Sequence, residues 1–166
     1  EQRGQAVLDI FSYAADLAEQ RRQEPADDLI SLLLSADVDG HELTQLQVST
    51  FFLLLQNAGS ETTRNLITSG LVALLQHPEQ MDALRRDPQL IPVAIEELLR
   101  YTSPVMYFCR QAAHDTEVGG VPIPANSILH IRYGSANHDE ALFDDPMAFD
   151  ITRENASKHL AFSRGP

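Results

Sequence analysis

In the middle of an apolar stretch the sequence sets a carboxylate beside a hydroxyl, Glu61-Thr62, inside Gln56-Asn57-Ala58-Gly59-Ser60-Glu61-Thr62-Thr63. Such a pair in apolar surroundings can relay protons. Gly59, with no Cβ, would let a flat ligand approach the backbone closely. Two further places carry charge that could act. Glu97 and Arg100 stand three residues apart, so on a helix they meet on one face. Spacing alone equally describes a solvent ion pair worth about 0.3–0.5 kcal/mol. Arg110 closes the apolar run from Val105, either as a cation held near a buried anion or as a strand end in solvent. A metal cluster is not expected. None of the six histidines has another at i+3 or i+4, and the single Cys109 offers no cysteine pair for zinc. Asp37-Val38-Asp39-Gly40 opens like a calcium loop but lacks the further ligands, and reads as a tight turn. There is no GxGxxG, P-loop or GxSxG.

The element that must position Glu61 and Thr62 runs from Thr44 to His77 without a proline. Thr44 with Gln47 reads as a capping box, and Pro78 marks the end. A helix of that length spans about 50 Å. Within it, Phe51-Phe52-Leu53-Leu54-Leu55 is apolar all round, which predicts burial on every side, and is too short to cross a bilayer. Helical spacing aligns Phe51, Leu55, Ala58, Thr62 and Leu66, so one stripe passes from bulky apolar groups to a small residue and then to a hydroxyl. Gly59 costs about 1 kcal/mol relative to alanine. The neighbouring hydroxyls can fold back on carbonyls one turn earlier, so a local break or bend is expected here. The ordinary alternative is a core helix with a packing glycine and a solvated Glu61.

Around this helix, residues 5–22 form an amphipathic helix with Val7, Ile10, Phe11, Ala14, Leu17 and Ala18 on its apolar side. Asp28 opens a short helix over 29–36. Prolines 78 and 92 open helices over 78–87 and 92–101. The pattern then turns β-like at 105–110, 116–118, 121–123 and 128–133, with Gly119-Gly120 and Pro124-Ala125-Asn126 as breaks. Residues 135–150 read as turns and short helices, and 151–166 as irregular chain. The fold class is mainly α with a small β region, in one domain.

Composition narrows the function. The 166 residues are 43% hydrophobic, enough for a core. They include 24 acidic and 12 basic residues, a net charge of −12, with no basic block. That argues against nucleic acid and against anionic membrane surfaces. No leader and no membrane-inserted segment is read, and the lone cysteine fits a reducing compartment, so a cytoplasmic protein is expected.

Taken in order, the helical Ala58-Gly59-Ser60-Glu61-Thr62-Thr63, the Glu97-Leu98-Leu99-Arg100 helix, Arg110, the Ser135-Ala136-Asn137-His138-Asp139 turn, Phe149-Asp150-Ile151-Thr152-Arg153 and His159-Leu160-Ala161-Phe162-Ser163-Arg164-Gly165 resemble the cytochrome P-450 family of haem-thiolate monooxygenases, in its soluble bacterial style. The resemblance implies a partial cytochrome P-450 fold. Its segments are helices in 1–43, the central helix in 44–77, further helices in 78–104, a β region in 105–134, and a meander with the start of the haem-binding loop in 135–166. It implies catalytic roles for Glu61, as the acid passing protons inward, and for Thr62, as the hydroxyl of the oxygen-activation motif. It implies contacts of Ala58, Gly59, Thr63, Arg110 and Phe162 with haem b (iron protoporphyrin IX), Arg110 taking a propionate. Phe51, Leu55, Val105 and Phe108 would touch substrate, and Glu97, Arg100 and Arg153 would form a buried structural triad. The implied activity is insertion of one oxygen atom from O2 into a lipophilic small molecule, such as a steroid, terpenoid or fatty acid, with electrons from a ferredoxin-type partner. The family's loop reads Phe-x-x-Gly-x-x-x-Cys. From Phe162 and Gly165 the axial cysteine is expected beyond Pro166, so the chain as written is expected to be inactive. Ser163 stands where the loop usually has glycine, and Cys109 is no substitute ligand. The alternative from another class is a non-catalytic family homologue that serves as a binding or partner-stabilising module.

Overall fold

The structure, a computed structural model, describes residues 2–163. The chain divides after Glu61 into two units. The first holds helices α1 (Gln2–Gln23) and α2 (Leu29–Leu34), strands β1 (Asp37–Val38) and β2 (His41–Glu42), and the start of helix α3 (Gln45–Gln76). The second takes over from Thr62 and adds α4 (Pro78–Arg86), a 3-10 turn at Pro88–Leu90, α5 (Ile91–Thr102), β3 (Tyr107–Gln111), β4 (Thr116–Val118), β5 (Val121–Ile123), β6 (Ile128–Arg132), α6 (Tyr133–Ala136) and a 3-10 turn at Ala156–Lys158.

In the first unit, Ala18, Ile30 and Val48 form the buried centre, flanked by Leu17, Leu33 and Phe52. Ala14 and Ala18 are fully buried on α1, whereas Val7 of the same predicted stripe is exposed. Asp28 caps α2: Ser31 N–H donates to its Oδ1 at 2.9 Å, and the Arg21 guanidinium pairs with its other oxygen. Together, the Ser31 amide first, they hold the Asp28 carboxyl down at about 2. Asp39-Gly40 form the turn of the two-stranded hairpin β1–β2, both at positive φ, and Gly40 N–H donates to Asp37 Oδ1 at 2.7 Å. Thr44 and Gln47 close their capping box, with Thr44 N–H to Gln47 Oε1 at 2.8 Å and Gln47 N–H to Thr44 Oγ1 at 3.3 Å.

Two expectations for α3 are corrected. The Phe51–Leu55 segment is not buried on every side: Phe51, Leu54 and Leu55 are exposed, and only Phe52 and Leu53 are half-buried. The first unit packs only the Phe52 side of the helix against Ala18 and Ile30, so the remaining apolar faces have no cover within it. Nor is the helix broken at Gly59; helical structure is continuous from Gln45 to Gln76. A hydroxyl bonded back to a carbonyl is compatible with that continuity, as Thr68 Oγ1 to Arg64 O at 2.9 Å illustrates. The cost of one glycine is small beside burial elsewhere along the helix, at Val48 and Ala73.

The second unit is centred on Ala73, Ala94, Phe149 and Ile151. At Gly70 a Cβ would stand 3.2 Å from Leu98 Cδ2, so this glycine sets how closely α3 and α5 approach. Antiparallel β3 and β6 pair Cys109 with His130 and Arg110 with Leu129, which puts Phe108, Arg110, Leu129 and Ile131 on one face of the ribbon. A second hairpin, β4–β5, turns through Gly119-Gly120. The tail is less irregular than its composition predicts: Ile151, Ala156, His159 and Ala161 are buried, and a 3-10 turn runs through it.

Candidate functional site

Helix α5 supplies the densest chemistry. Its i,i+3 spacing brings Arg100 Nε to 2.7 Å from Glu97 Oε2 and Arg100 Nη2 to 2.8 Å from Oε1. Both side chains are fully buried, so the solvent ion pair that spacing allows is not what forms. The Arg100 guanidinium spends its other N–H groups on backbone carbonyls, Nη1 on Asn137 and Pro146 at 2.8 Å and Nη2 on Ala148 at 3.0 Å. All five donors are thereby used. Its face also lies 5.2 Å from the Phe143 ring centroid.

Arg153 reaches the same carboxylate, with Nε 3.2 Å from Glu97 Oε2, and binds Asp144 O at 2.7 Å and Asp145 O at 3.1 Å. The Asp150 amide donates to Glu97 Oε1 at 3.0 Å. One buried carboxylate therefore faces two guanidinium groups, and the surrounding carbonyls carry the excess positive charge. Phe149, one residue before Asp150, fixes this segment by packing 5.1 Å from Tyr101 and 5.3 Å from His77, centroid to centroid.

Two residues that the sequence marked only as parts of motifs turn out to be structural ties. Asn137 is fully buried. Its Nδ2 donates to Ser103 Oγ at 2.9 Å, and its Oδ1 accepts the Leu160 N–H at 2.7 Å. His159 is buried as well, with Nδ1 accepting the Ala161 N–H at 3.0 Å and Nε2 lying 3.1 Å from Glu96 Oε2. The side chain of Asn137 acts on Ser103 and Leu160, and that of His159 reaches Glu96, contacts between distant parts of the chain for which sequence spacing gives no signal. Ser103, which ends α5 in the left-handed region at φ 43, is the third member of the tie.

Each remaining candidate lies within one of the two units. Ala58 and Gly59 sit on exposed turns of α3 in the first unit, and a Cβ at Gly59 would meet nothing within 4 Å. Glu61 is exposed at the end of that unit, whereas Thr62 is half-buried and Thr63 exposed at the start of the next. Arg110 is exposed on β3, its Nη1 3.2 Å from the Cys109 carbonyl. Phe108, 52% exposed, shares the Arg110 face and lies 6.0 Å from the Tyr133 ring, and Val105 is half-buried just before β3. Phe162 is 76% exposed and its ring stands 5.5 Å from that of His159. Gly165 lies outside the described residues. Among the described residues no three His, Cys, Asp or Glu side chains gather to hold a metal. None of the described helices is long and apolar enough to cross a membrane.

Comparison with known proteins gives this arrangement a context. The family model described as "Cytochrome P450" matches residues 2–166. The chain is 45% identical over 162 residues to the methyl-branched lipid omega-hydroxylase of Mycobacterium tuberculosis, covering 97% of this chain and 38% of that protein. It is 42% identical over 157 residues to the steroid C26-monooxygenase of Rhodococcus jostii, covering 95% and 33%. Its fold superposes with a TM-score of 0.93 on the solved structure of cytochrome P450 CYP109Q5 from Chondromyces apiculatus, at 45% identity, covering 98% of this chain and 42% of that one. The chain thus spans about two-fifths or less of the length of these relatives.

Proposed function

We propose, from the premise that this chain belongs to the cytochrome P450 family, that its protein is a haem-dependent monooxygenase. It inserts one oxygen atom of O2 into a lipophilic small molecule and draws electrons from a ferredoxin-type partner in the cytoplasm. The observation that carries this reading is the placement of Gly59, Glu61 and Thr62 in the middle of one uninterrupted helix. Helix formation gains nothing from a glycine there, and among the described residues no packing neighbour within 4 Å demands one. A requirement for open backbone beside a hydroxyl and a carboxylate accounts for all three.

The residue types present suit a haem. In the first unit Gly59 and Ala58 leave room for a flat apolar ring, Thr63 continues the motif, and in the second unit Phe162 offers an exposed ring. Arg110 is an exposed guanidinium that gives one N–H to the Cys109 carbonyl at 3.2 Å, a donor fork of the kind a propionate carboxylate takes. Cys109 does not fit the axial position: it faces His130 across the ribbon, on the side opposite Arg110. The axial thiolate is proposed to follow Pro166. When bound, the haem supplies the O2 chemistry, with thiolate donation favouring O–O cleavage.

The chain's own residues then have separable tasks. Thr62 would hold a proton at Oγ1 for the O2 chemistry that the haem would supply, and the exposed Glu61, about 100° round the helix, would exchange protons with solvent and replenish it. Phe51 and Leu55 in the first unit, and Val105 and Phe108 in the second, each offer apolar surface suited to binding a lipophilic substrate and excluding water. The names of two relatives, one for a methyl-branched lipid and one for a steroid, support a lipophilic substrate class. Glu97, Arg100 and Arg153 hold the segment from Asn137 to Asp150 that leads toward the haem loop.

The test is the reduced, carbon monoxide difference spectrum of a chain extended through the haem-binding loop. A thiolate-type red-shifted Soret band is expected. An extended protein that takes up no haem would overturn the reading and favour a non-catalytic family member.

A further inference from the structure

Two successive backbone N–H groups, those of Leu160 and Ala161, are held by buried side chains rather than by backbone or solvent. Asn137 Oδ1 accepts the first at 2.7 Å and His159 Nδ1 the second at 3.0 Å. Nδ1 can accept only if the ring proton is on Nε2, and Nε2 faces Glu96 Oε2 at 3.1 Å. The Glu96 carboxylate on α5 thus lies beside the nitrogen that carries the proton in the tautomer capping Ala161. The same imidazole stands 5.5 Å from the Phe162 ring in an edge-on arrangement. Its side chain is 3% exposed, too little for a role in solvation alone.

We propose that His159 is a positioning residue for the haem-binding loop. Glu96 fixes the imidazole, and its Nδ1 sets the backbone at Ala161, which delivers Phe162 and the chain after it to the haem. The inference deepens the haem reading above and rests on it. His159 touches no reacting atom in this role. It determines how firmly the start of the loop is pinned to α5, and so how well the axial thiolate keeps its place.

Two substitutions separate positioning from mere filling. In His159→Asn the side-chain oxygen occupies the place of Nδ1 and still accepts the Ala161 N–H, although the Glu96 and Phe162 contacts are lost. In His159→Gln the amide reaches toward Glu96, but the acceptor for Ala161 is lost and most of the ring volume is kept. The measurement is the rate at which the reduced, carbon monoxide-bound protein, extended through the loop, converts from the red-shifted thiolate band to the unshifted band in mild denaturant. His159→Gln is expected to convert about tenfold faster than wild type, as for the loss of one buried hydrogen bond, and His159→Asn within about threefold of wild type. Equal rates in all three proteins would overturn the proposal. So would equal acceleration, or loss of haem, in both variants, because that marks ring volume and not the Ala161 cap. A wild type with no red-shifted band would instead count against the haem reading itself.

Discussion

Replacing Glu97 by alanine tests the buried network most directly. The carboxylate accepts from Arg100 Nε at 2.7 Å, Arg100 Nη2 at 2.8 Å, the Asp150 amide at 3.0 Å and Arg153 Nε at 3.2–3.3 Å. In the alanine variant Arg100 keeps its three backbone acceptors but loses two of five, and no negative charge remains between two guanidinium groups. Arg100 is fully buried and cannot recover water. Removing one partner of a buried ion pair costs about 3–5 kcal/mol. Against a typical stability of about 5–15 kcal/mol, that raises the unfolded fraction by roughly two to three and a half powers of ten. Equilibrium urea unfolding followed by circular dichroism should show a lower midpoint for Glu97→Ala, and the haem-loaded yield of the extended protein should collapse. A double variant, Glu97→Ala with Arg153→Met, should recover part of the loss, because it removes one uncompensated charge. A Glu97→Ala stability within about 1 kcal/mol of wild type would refute the reasoning, since it would mean that the carbonyls alone satisfy both guanidinium groups.

Other outcomes follow from separate parts of the chain. Thr62→Ala should retain haem and its spectrum but release a larger share of its electrons as hydrogen peroxide; unchanged coupling of electron use to product would remove Thr62 from the proton path. Gly59→Ala should raise helix stability by up to about 1 kcal/mol, since a Cβ there meets nothing, while Gly59→Ile should lower haem uptake; equal uptake in the isoleucine variant would contradict a close-approach role. Arg110→Gln should leave urea unfolding unchanged, as expected of an exposed side chain, yet raise the rate of haem transfer to apomyoglobin several-fold. For Asp28 the sign is that of a depressed carboxyl: with a folded value of about 2 against 3.8 unfolded, its contribution is complete above about pH 4 and is lost as pH falls toward 2. Asp28→Asn should therefore flatten the acid limb of the stability profile in that window, and an unchanged slope would deny the cap.

What the sequence made legible, and what it hid, follows from how far each interaction reaches along the chain. Caps and turns are local, so Thr44 with Gln47, Asp28, Pro78 and the Gly119-Gly120 hairpin could be read from neighbours alone. The strands were legible for the same reason, their boundaries within a residue or two. Burial was not. An all-apolar turn at Phe51–Leu55 predicts a fully enclosed helix only if every side has a partner, and within its unit only the Phe52 side does. For Glu97 and Arg100 spacing alone was silent, since three residues' separation says that two charges can meet but not whether water is present; the buried triad with Arg153 was legible only through the family resemblance, and it is what forms. Their burial depends on carbonyls 37 to 48 residues away. Asn137 and His159 are harder still, because each is a single polar residue whose meaning comes from one distant N–H or carboxylate. Polar residues fixed by tertiary partners leave no periodic trace, and in this chain they are the ones that tie α5 to the segment leading into the proposed haem loop.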